Sequence, residues 1–600
     1  MKYKLIAPIN KNYSTIEQIL TNRGIKYEDI EHYLNTTDKD INSPYAFGEA
    51  ELTAAARMLI QCIGENRQAL VVVDSDCDGF TSAALLINYL HDLFPAWVEN
   101  NLTYFIHSGK QHGLSDCVDL ASDYDLVLLP DSSSNDYENH RTLVNECCTG
   151  VIVLDHHEAE MISPHAIIIN NQLSDYPNKE LSGVGVTWQF CRYIDKLNKT
   201  NFAEKYYDLV ALGNMADMMS LKSIETKHLI LKGFKEENII NPFIYEMALK
   251  NSFSLGDKIT PMGAAFYIAP FVNAMVRSGV AEEKDLLFRS MLKHEAFKMI
   301  PSTKRGHKIG EEERVIDQAI RTCINVKNRQ TRAQDAGLEF LENMIVEQNL
   351  LDHKVLLFLL EPGQVDKNIA GLIANKFMAK YQRPCCILTK VTDSDGNISY
   401  QGSARGYDKS GITNFKDICT AAPGVMYAEG HQGAFGLGID MGKDDEHQGE
   451  VFGEGLLQFI DYTDEALKEM SSEPTYAVDY IYNGDDVNGE NIIDIANLDD
   501  LWGKDMDEPF ICIQNLKVTK DMVTLMSPDK KPTLKITLPN KVALIKFGSS
   551  QEEYESFLSE TGYISFDIIG RCNKNVWNGW TTAQVFIEEY QKVGESKYIF

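Results

Sequence analysis

The chain has 600 residues, 44% of them hydrophobic and 24% charged, with a formal net charge of −30. That length exceeds what one hydrophobic core accommodates and predicts three or four domains, and the composition is that of a globular protein. The acidity excludes a general coating of nucleic acid, whose affinity rests on phosphate neutralisation, and no apolar run is long enough to cross a bilayer.

The N-terminus lacks a signal-peptide pattern. The 12 cysteines include no C-x-x-C, and Cys147-Cys148 and Cys385-Cys386 are adjacent pairs. This predicts reduced thiols and a cytoplasmic protein rather than a zinc ribbon or a disulfide framework. Along the chain, 16–34 and 51–63 have helical apolar spacing, separated by turn-rich 35–44. From 70 to 221, short Val/Ile/Leu runs alternate with amphipathic stretches, the signal of α/β units on a parallel sheet. Residues 222–345 read as helical, with a basic interruption at 301–310 and a long amphipathic run at 311–348. A second α/β pattern runs from Val355 to 459, and Ser471-Ser472-Glu473-Pro474 looks like a boundary. Beyond it, 510–518, 533–538, 542–547 and 583–587 predict a small β-barrel.

Two stretches could line a narrow basic channel on the acidic body. One holds Lys304, Arg305, His307 and Lys308, followed by Arg321, Lys327, Arg329 and Arg332. The other holds Lys517, Lys520, Lys530, Lys531, Lys535, Lys541 and Lys546.

Four apolar runs end in acid. Val71-Val72-Val73 leads into Asp74-Ser75-Asp76-Cys77-Asp78-Gly79. D-x-D-x-D-G also opens an EF-hand loop, but that motif needs a preceding helix and a Glu at the twelfth position, where Leu85 stands. The calcium reading fails, and a strand, an acidic turn and a helix from about Thr81 are expected instead. Leu126 to Pro130 ends in Asp131, and Ile152-Val153-Leu154 ends in Asp155-His156-His157-Glu158. Leu209 to Ala216 ends in Asp217, which is costly to bury unpaired and so needs a metal or a hydrogen-bond network. Four strand ends offering Asp and His describe a cup of oxygen and imidazole ligands, suited to Mn²⁺ or Mg²⁺. Two such ions can activate water and steady both the attacking and the leaving oxygen of a phosphodiester.

In this order, Asp-x-Asp-x-Asp-Gly, Asp131, Asp155-His156-His157 and Asp217 resemble the DHH phosphoesterase superfamily, and more narrowly its RecJ family of single-strand-specific exonucleases. The likeness covers nearly the whole length. It includes Asn22-Arg23-Gly24-Ile25, His112-Gly113-Leu114, 181–186, the P-x-x-N-A-x-x-R segment at 270–277, Gly402-Ser403-Ala404-Arg405, 430–436, and Asn575-Val576-Trp577-Asn578-Gly579 with Gln584. The resemblance implies two α/β domains (DHH and DHH-associated) joined by a helical linker, with a C-terminal OB-fold β-barrel. The expected segments are 1–68 (N-terminal helical), 69–240 (DHH), 241–350 (linker), 351–460 (DHH-associated) and 461–600 (OB-fold).

By the same resemblance, Asp74 binds one ion, Asp76 and His156 the other, Asp131 bridges them and Asp217 completes the set. His157 sits beside the scissile phosphate, and Asp78 and Asp155 orient ligands rather than bind metal. Arg277, Ser403 and Arg405 form a pocket for a terminal 5′-phosphate, matching the donors that phosphate takes, and His431 faces substrate. Single-stranded DNA enters 5′-end first and leaves as 5′-mononucleotides; Trp577 and Trp580 could stack bases or belong to the core of the C-terminal domain. A single-strand-binding protein or a helicase is the expected protein partner. The chain departs from the family pattern at Glu429, where a glycine is usual, and at Val365-Asp366, where Trp-His is usual; the stretch 285–330 also aligns poorly. Two rival readings are a DHH phosphodiesterase for short oligonucleotides or cyclic dinucleotides, and a non-catalytic scaffold with an eroded metal site. The first usually lacks an OB-fold, and occupied ligand positions argue against the second.

Overall fold

The computed structural model describes all residues except 110, 395, 408–413, 444–452, 471–474, 529, 560–561 and 597–600. The boundary expected at 471–474 therefore lies outside the described residues, as does Asp529 beside the second lysine stretch. Two compact units emerge: an N-terminal unit of 23–327 with 497–508, and a C-terminal unit of 1–22, 328–496 and 509–600. The long helix Val315–Glu347 begins in the first and ends in the second.

The N-terminal unit is built on a five-stranded sheet, in the order Leu102–Ile106, Ala69–Val73, Leu126–Pro130, Gly150–Asp155, Ile167–Asn170, with every pair parallel. The strands at Ala69–Val73 and Leu126–Pro130 are buried along their whole length, as parallel strands covered on both faces must be. Val71 pairs with Leu128, and Leu128 with Ile152. Counting three residues onward, the ends bearing Asp74, Asp131 and Asp155 emerge level. Chain order reverses between Ala69–Val73 and Leu126–Pro130, and ligands of such sheets bind where the order reverses, at the carboxyl edge.

The helix after the first strand starts at Cys77, not near Thr81, because Asp76 caps it by accepting the Gly79 N–H at 2.8 Å. It is buried from Cys77 through Leu90, wrapped by helices Gly183–Asn198 and Tyr207–Ala216. The last of these corrects the expectation for 209–217: that apolar run is a helix, and Asp217 stands at its C-terminal end. The expected helix over 16–34 is also broken, into Thr15–Asn22 and Ile30–Leu34, with Gly24 at φ +87° between them. The basic interruption forms a small hairpin, Met299–Pro301 with Glu312–Arg314. Buried Glu313 there pairs with Arg321 at 2.6 Å and Lys304 at 3.3 Å, so part of the first basic stretch is spent inside the protein.

In the C-terminal unit, a mixed sheet runs Val425–His431, Ala434–Lys443, Asn397–Arg405, Cys385–Thr392, Leu356–Leu360, with only the last pair parallel. Alternate residues serve opposite faces, as strand geometry requires. Phe358, Cys385 and Ile387 pack with Ile373 and Phe377 of helix Ala370–Tyr381, whereas Leu357, Cys386, Ala404 and Leu437 pack with Phe415, Cys419 and Phe459. The remaining sheet has seven strands, in the order Tyr480–Asn483, Phe510–Val518, Tyr563–Trp577, Trp580–Ser596, Ala543–Phe547, Thr533–Thr537, Val523–Met526. Its pairings form an open ladder; among the described residues no pair joins the two edge strands into a closed barrel. The N-terminal strand Lys2–Leu5 pairs with Thr475–Val478 of the same unit. No disulfide joins the cysteines, and no described helix is long and apolar enough to cross a membrane.

Candidate metal centre

Asp74 follows the first strand and is 1% exposed. One of its oxygens accepts the Gly113 N–H at 3.1 Å and the other meets His112 Nδ1 at 2.6 Å. Asp131 follows the third strand with φ +69°, a left-handed conformation that Asp tolerates better than most side chains; its N–H donates to the Leu154 carbonyl at 2.8 Å. Gly183, at the start of helix Gly183–Asn198, lies so close that a β-carbon there would collide with the Asp131 carboxylate.

Asp155 is an acceptor hub. It takes the Ser134 N–H at 3.0 Å, the His156 N–H at 2.7 Å and the His157 ring at 2.7 Å. Burial alone would raise its pKa, but the His157 bond and charge hold it well below the usual carboxylate range. His157 in turn is raised to about 9, first by that bond, and presents a cationic ring that is 54% exposed. His156 is lowered to about 4 by burial and by the neighbouring His157, which leaves it neutral and able to ligate. Asp78 accepts from Ser182 Oγ at 3.1 Å, Gly183 N at 2.7 Å and Val184 N at 3.2 Å, at the N-terminus of helix Gly183–Asn198.

These residues fall into overlapping groups whose candidate ligand atoms lie within 4.8 Å: Asp74, Asp76 and Asp131; Asp78, His156 and Asp217; and Asp131, Asp155, His156 and His157. Asp76 thus groups with Asp74 and Asp131, and His156 with Asp217. Asp131 Oδ1 and His156 Nε2 are 3.3 Å apart, both buried, and neither has a hydrogen-bond partner. His156 Nε2 is also 3.4 Å from Asp217 Oδ2 and 4.0 Å from Asp78 Oδ2.

Among the described residues no lysine or arginine pairs with Asp74, Asp76, Asp78, Asp131 or Asp217. Crowding shows in their proton affinities. Burial and then the Asp74 and Asp78 charges raise Asp76 to about 6. Burial and then Asp78 and Asp76 raise Asp217 to about 8, and burial followed by its acidic neighbours raises Asp131 strongly. Packed carboxylates hold protons unless a cation replaces them. Orphaned donor atoms, oxygen and imidazole chemistry and uncompensated charge all fit a divalent-metal centre.

A pocket of about 500 Å³ opens beside these groups, lined by Asp74, His112, Asp131, Ser132, Asp155 and His157 among others. Sequence reasoning overlooked Ser132, whose buried Oγ has no partner, and Asp136, which accepts the Leu114 N–H at 2.9 Å and the Ser133 hydroxyl at 2.8 Å. Polar richness in 132–136 was the available signal. Arg277 ends helix Ala269–Ser278 half-buried; burial lowers its pKa, and Asp76 acts on it in the opposite sense. Ser403, Arg405 and His431 belong to the C-terminal unit and form a separate group. There Gly371, near the start of helix Ala370–Tyr381, faces the Arg405 guanidinium and the Ser403 hydroxyl so closely that a β-carbon would strike the guanidinium. Trp577 and Trp580 pair across the tip of the long hairpin, 72% and 79% exposed, which rules out a core role.

Comparison with known proteins agrees with this arrangement. The family model described as "DHH family, N-terminal domain" matches residues 68–214, the stretch that carries every strand-end ligand above. A Bacillus subtilis protein named "Putative SPbeta prophage-derived single-strand DNA-specific exonuclease YorK" is 33% identical over 599 residues, 99% of this chain and 98% of that protein. Single-stranded-DNA-specific exonuclease RecJ of Bacillus subtilis is 23% identical over 590 residues, 96% of this chain and 67% of that protein. The fold is similar to the crystal structure of Thermus thermophilus RecJ in complex with Mn²⁺, with a TM-score of 0.66 at 17% identity, covering 99% of this chain and 80% of that one. With near full-length likeness to YorK added to the level Asp74, Asp131 and Asp155 strand ends, the chain belongs to the RecJ-like single-strand DNA-specific exonuclease family of the DHH phosphoesterases.

Proposed function

We propose that the chain is a metal-dependent exonuclease that degrades single-stranded DNA from its 5′ end and releases 5′-mononucleotides. The observation that carries this reading is the pair of buried, unpartnered atoms at the centre of the acidic cup, Asp131 Oδ1 and His156 Nε2. In this reading Asp131 would be shared by two divalent ions, Mn²⁺ or Mg²⁺. Asp74 and Asp76 would hold one, and His156 and Asp217 the other. Asp76 changes sides relative to the expectation that paired it with His156. When bound, such ions supply Lewis acidity that activates water and steadies the leaving 3′-oxygen.

The protein's own groups do the rest. Asp155 fixes the His157 ring through a charge-assisted bond, and cationic His157 holds the scissile phosphate in the pocket. Asp78 is committed to the helix N-terminus and locks helix Gly183–Asn198 against the cup, so its part is orientation. Ser403, Arg405 and the N–H groups opening helix Ala370–Tyr381 take the terminal phosphate, which sets the register of the next phosphodiester. His431 contributes to that phosphate grip, and Arg277, in the N-terminal unit, is a further proposed phosphate contact. The seven-stranded sheet is an OB-derived module, and its exposed Trp577–Trp580 tip stacks bases. The five segments expected from sequence remain the proposed functional division, in a cytoplasmic protein working with a single-strand-binding protein or a helicase.

Asp131→Asn tests the bridging role. Mn²⁺-dependent cleavage of a 5′-phosphorylated strand should fall by more than about 100-fold, beyond what loss of an outer supporting group costs. Calorimetry on the same variant should show weakened Mn²⁺ binding. Cleavage within about twofold of wild type would reject the assignment.

A further inference from the structure

The mixed sheet of the C-terminal unit carries a charge that a phosphate pocket does not need. Ser403 pairs with Gly436, and Gly436 with Glu429; Arg405 pairs with Ala434, and Ala434 with His431. Residues directly paired in antiparallel strands project to the same face. Ser403 and Arg405 therefore share a face with Glu429 and His431, and only Gly436 and Ala434 stand between them. Two strand spacings set the walls of this trough about 9–10 Å apart.

The floor is bare by design of the sequence rather than by demand of the packing. A β-carbon on Gly436 would meet nothing nearer than 3.7 Å, so the fold has room for a side chain there. Glycine in a strand interior lets a ligand approach the backbone. At one end the Tyr427 ring lies over Gly438, and its hydroxyl donates to Gln401 Oε1 at 3.4 Å. Glu429 is exposed, and among the described residues no cation pairs with its carboxylate.

We propose that Glu429 is a specificity-determining residue that opposes a dianionic terminal phosphate across the trough. It thereby narrows the preference for 5′-phosphorylated over 5′-hydroxyl single strands. The inference rests on the reading of Ser403 and Arg405 as the terminal-phosphate pocket. A carboxylate and a doubly charged phosphate roughly 7 Å apart in a solvent-like dielectric repel enough to change relative affinity about three- to tenfold.

The test is the ratio of kcat/KM for one oligonucleotide with a 5′-phosphate to that for the same strand with a 5′-hydroxyl, measured with Mn²⁺ for the wild type, Glu429→Gln and Arg405→Ala. Glu429→Gln keeps size and removes charge, on an exposed edge strand where folding is not at stake. Its ratio should rise about three- to tenfold at low salt and return toward the wild-type ratio near 1 M salt, where the screening length is about 3 Å. Arg405→Ala should lower the ratio toward one. If Arg405→Ala lowers the ratio while Glu429→Gln leaves it unchanged, the pocket stands and the role of Glu429 is overturned. If Arg405→Ala leaves the ratio unchanged, the pocket reading fails and takes the inference with it.

Discussion

At the scale of single residues, the cup around Asp131 is a site of concentrated electrostatic cost, and a buried titratable group outside it carries a cost of the same kind. His140 is 0% exposed, and neither ring nitrogen has a hydrogen-bond partner. Burial lowers its pKa from the ordinary 6.5 to about 4. Between those values the unfolded chain binds a proton that the folded chain refuses. The stability contributed by keeping His140 neutral is therefore complete above pH 6.5 and is lost as pH falls toward 4, with a limiting slope of about 1.4 kcal/mol per pH unit. Thermal unfolding from pH 7 to 4.5 should show a shallower pH dependence for His140→Phe than for the wild type. Identical slopes would show that His140 is not the refusing group. Nothing in the sequence around His140 signalled this, because its burial comes from packing rather than from local pattern. Asp74, Asp131 and Asp155 were legible for the opposite reason: an apolar strand ending in an acid states its own geometry. The orienting role of Asp78 was expected from the family resemblance, but its partners and the role of Ser132 were not legible. The partner Ser182 of Asp78 is 104 residues away along the chain, and a serine beside an aspartate carries no mark of an unpartnered hydroxyl.

At the scale of elements, the site depends on how closely one helix start approaches one strand end. Gly183 opens helix Gly183–Asn198 against the Asp131 carboxylate, while the neighbouring Ser182 hydroxyl and the Gly183 and Val184 N–H groups hold Asp78. Gly183→Ala forces the carboxylate or the helix to move. The expected outcome is a loss of stability of about 1–3 kcal/mol, the usual cost of overpacking, together with at least a tenfold loss of Mn²⁺-dependent cleavage. Denaturant unfolding and a cleavage assay on the same sample read the two effects, and unimpaired cleavage would show that the approach is not functional. The parallel sheet was legible as an element because its strands are continuous Val/Ile/Leu runs with turn residues between them. The helix Tyr207–Ala216 was not, since an apolar run of that length suits a buried strand or a buried helix equally well. The C-terminal barrel was expected from the β-rich segments and from the resemblance carried by 575–579 and Gln584. Closure depends on pairing between distant strands, which local alternation does not encode, and the observed ladder is open.

At the scale of the whole molecule, the charge of −30 and the proposed substrate pull in opposite directions. The two are reconciled locally. The first basic stretch is partly spent on Glu313, so the grip on a polyanion is proposed to come from the His157 ring, from Ser403 and Arg405, and from stacking at Trp577 and Trp580 rather than from a broad basic face. Divalent metal held by the acidic cup is proposed to drive removal of nucleotides from the 5′ end of a single strand. One time course tests it most directly: a 5′-phosphorylated strand of mixed sequence, labelled at either end, incubated with the full-length protein and Mn²⁺, with and without chelator. The expected result is immediate release of the 5′ label as a mononucleotide, a steadily shortening 3′-labelled strand, and no reaction in chelator. Undiminished cleavage in chelator, or a 3′ label released first, would contradict it.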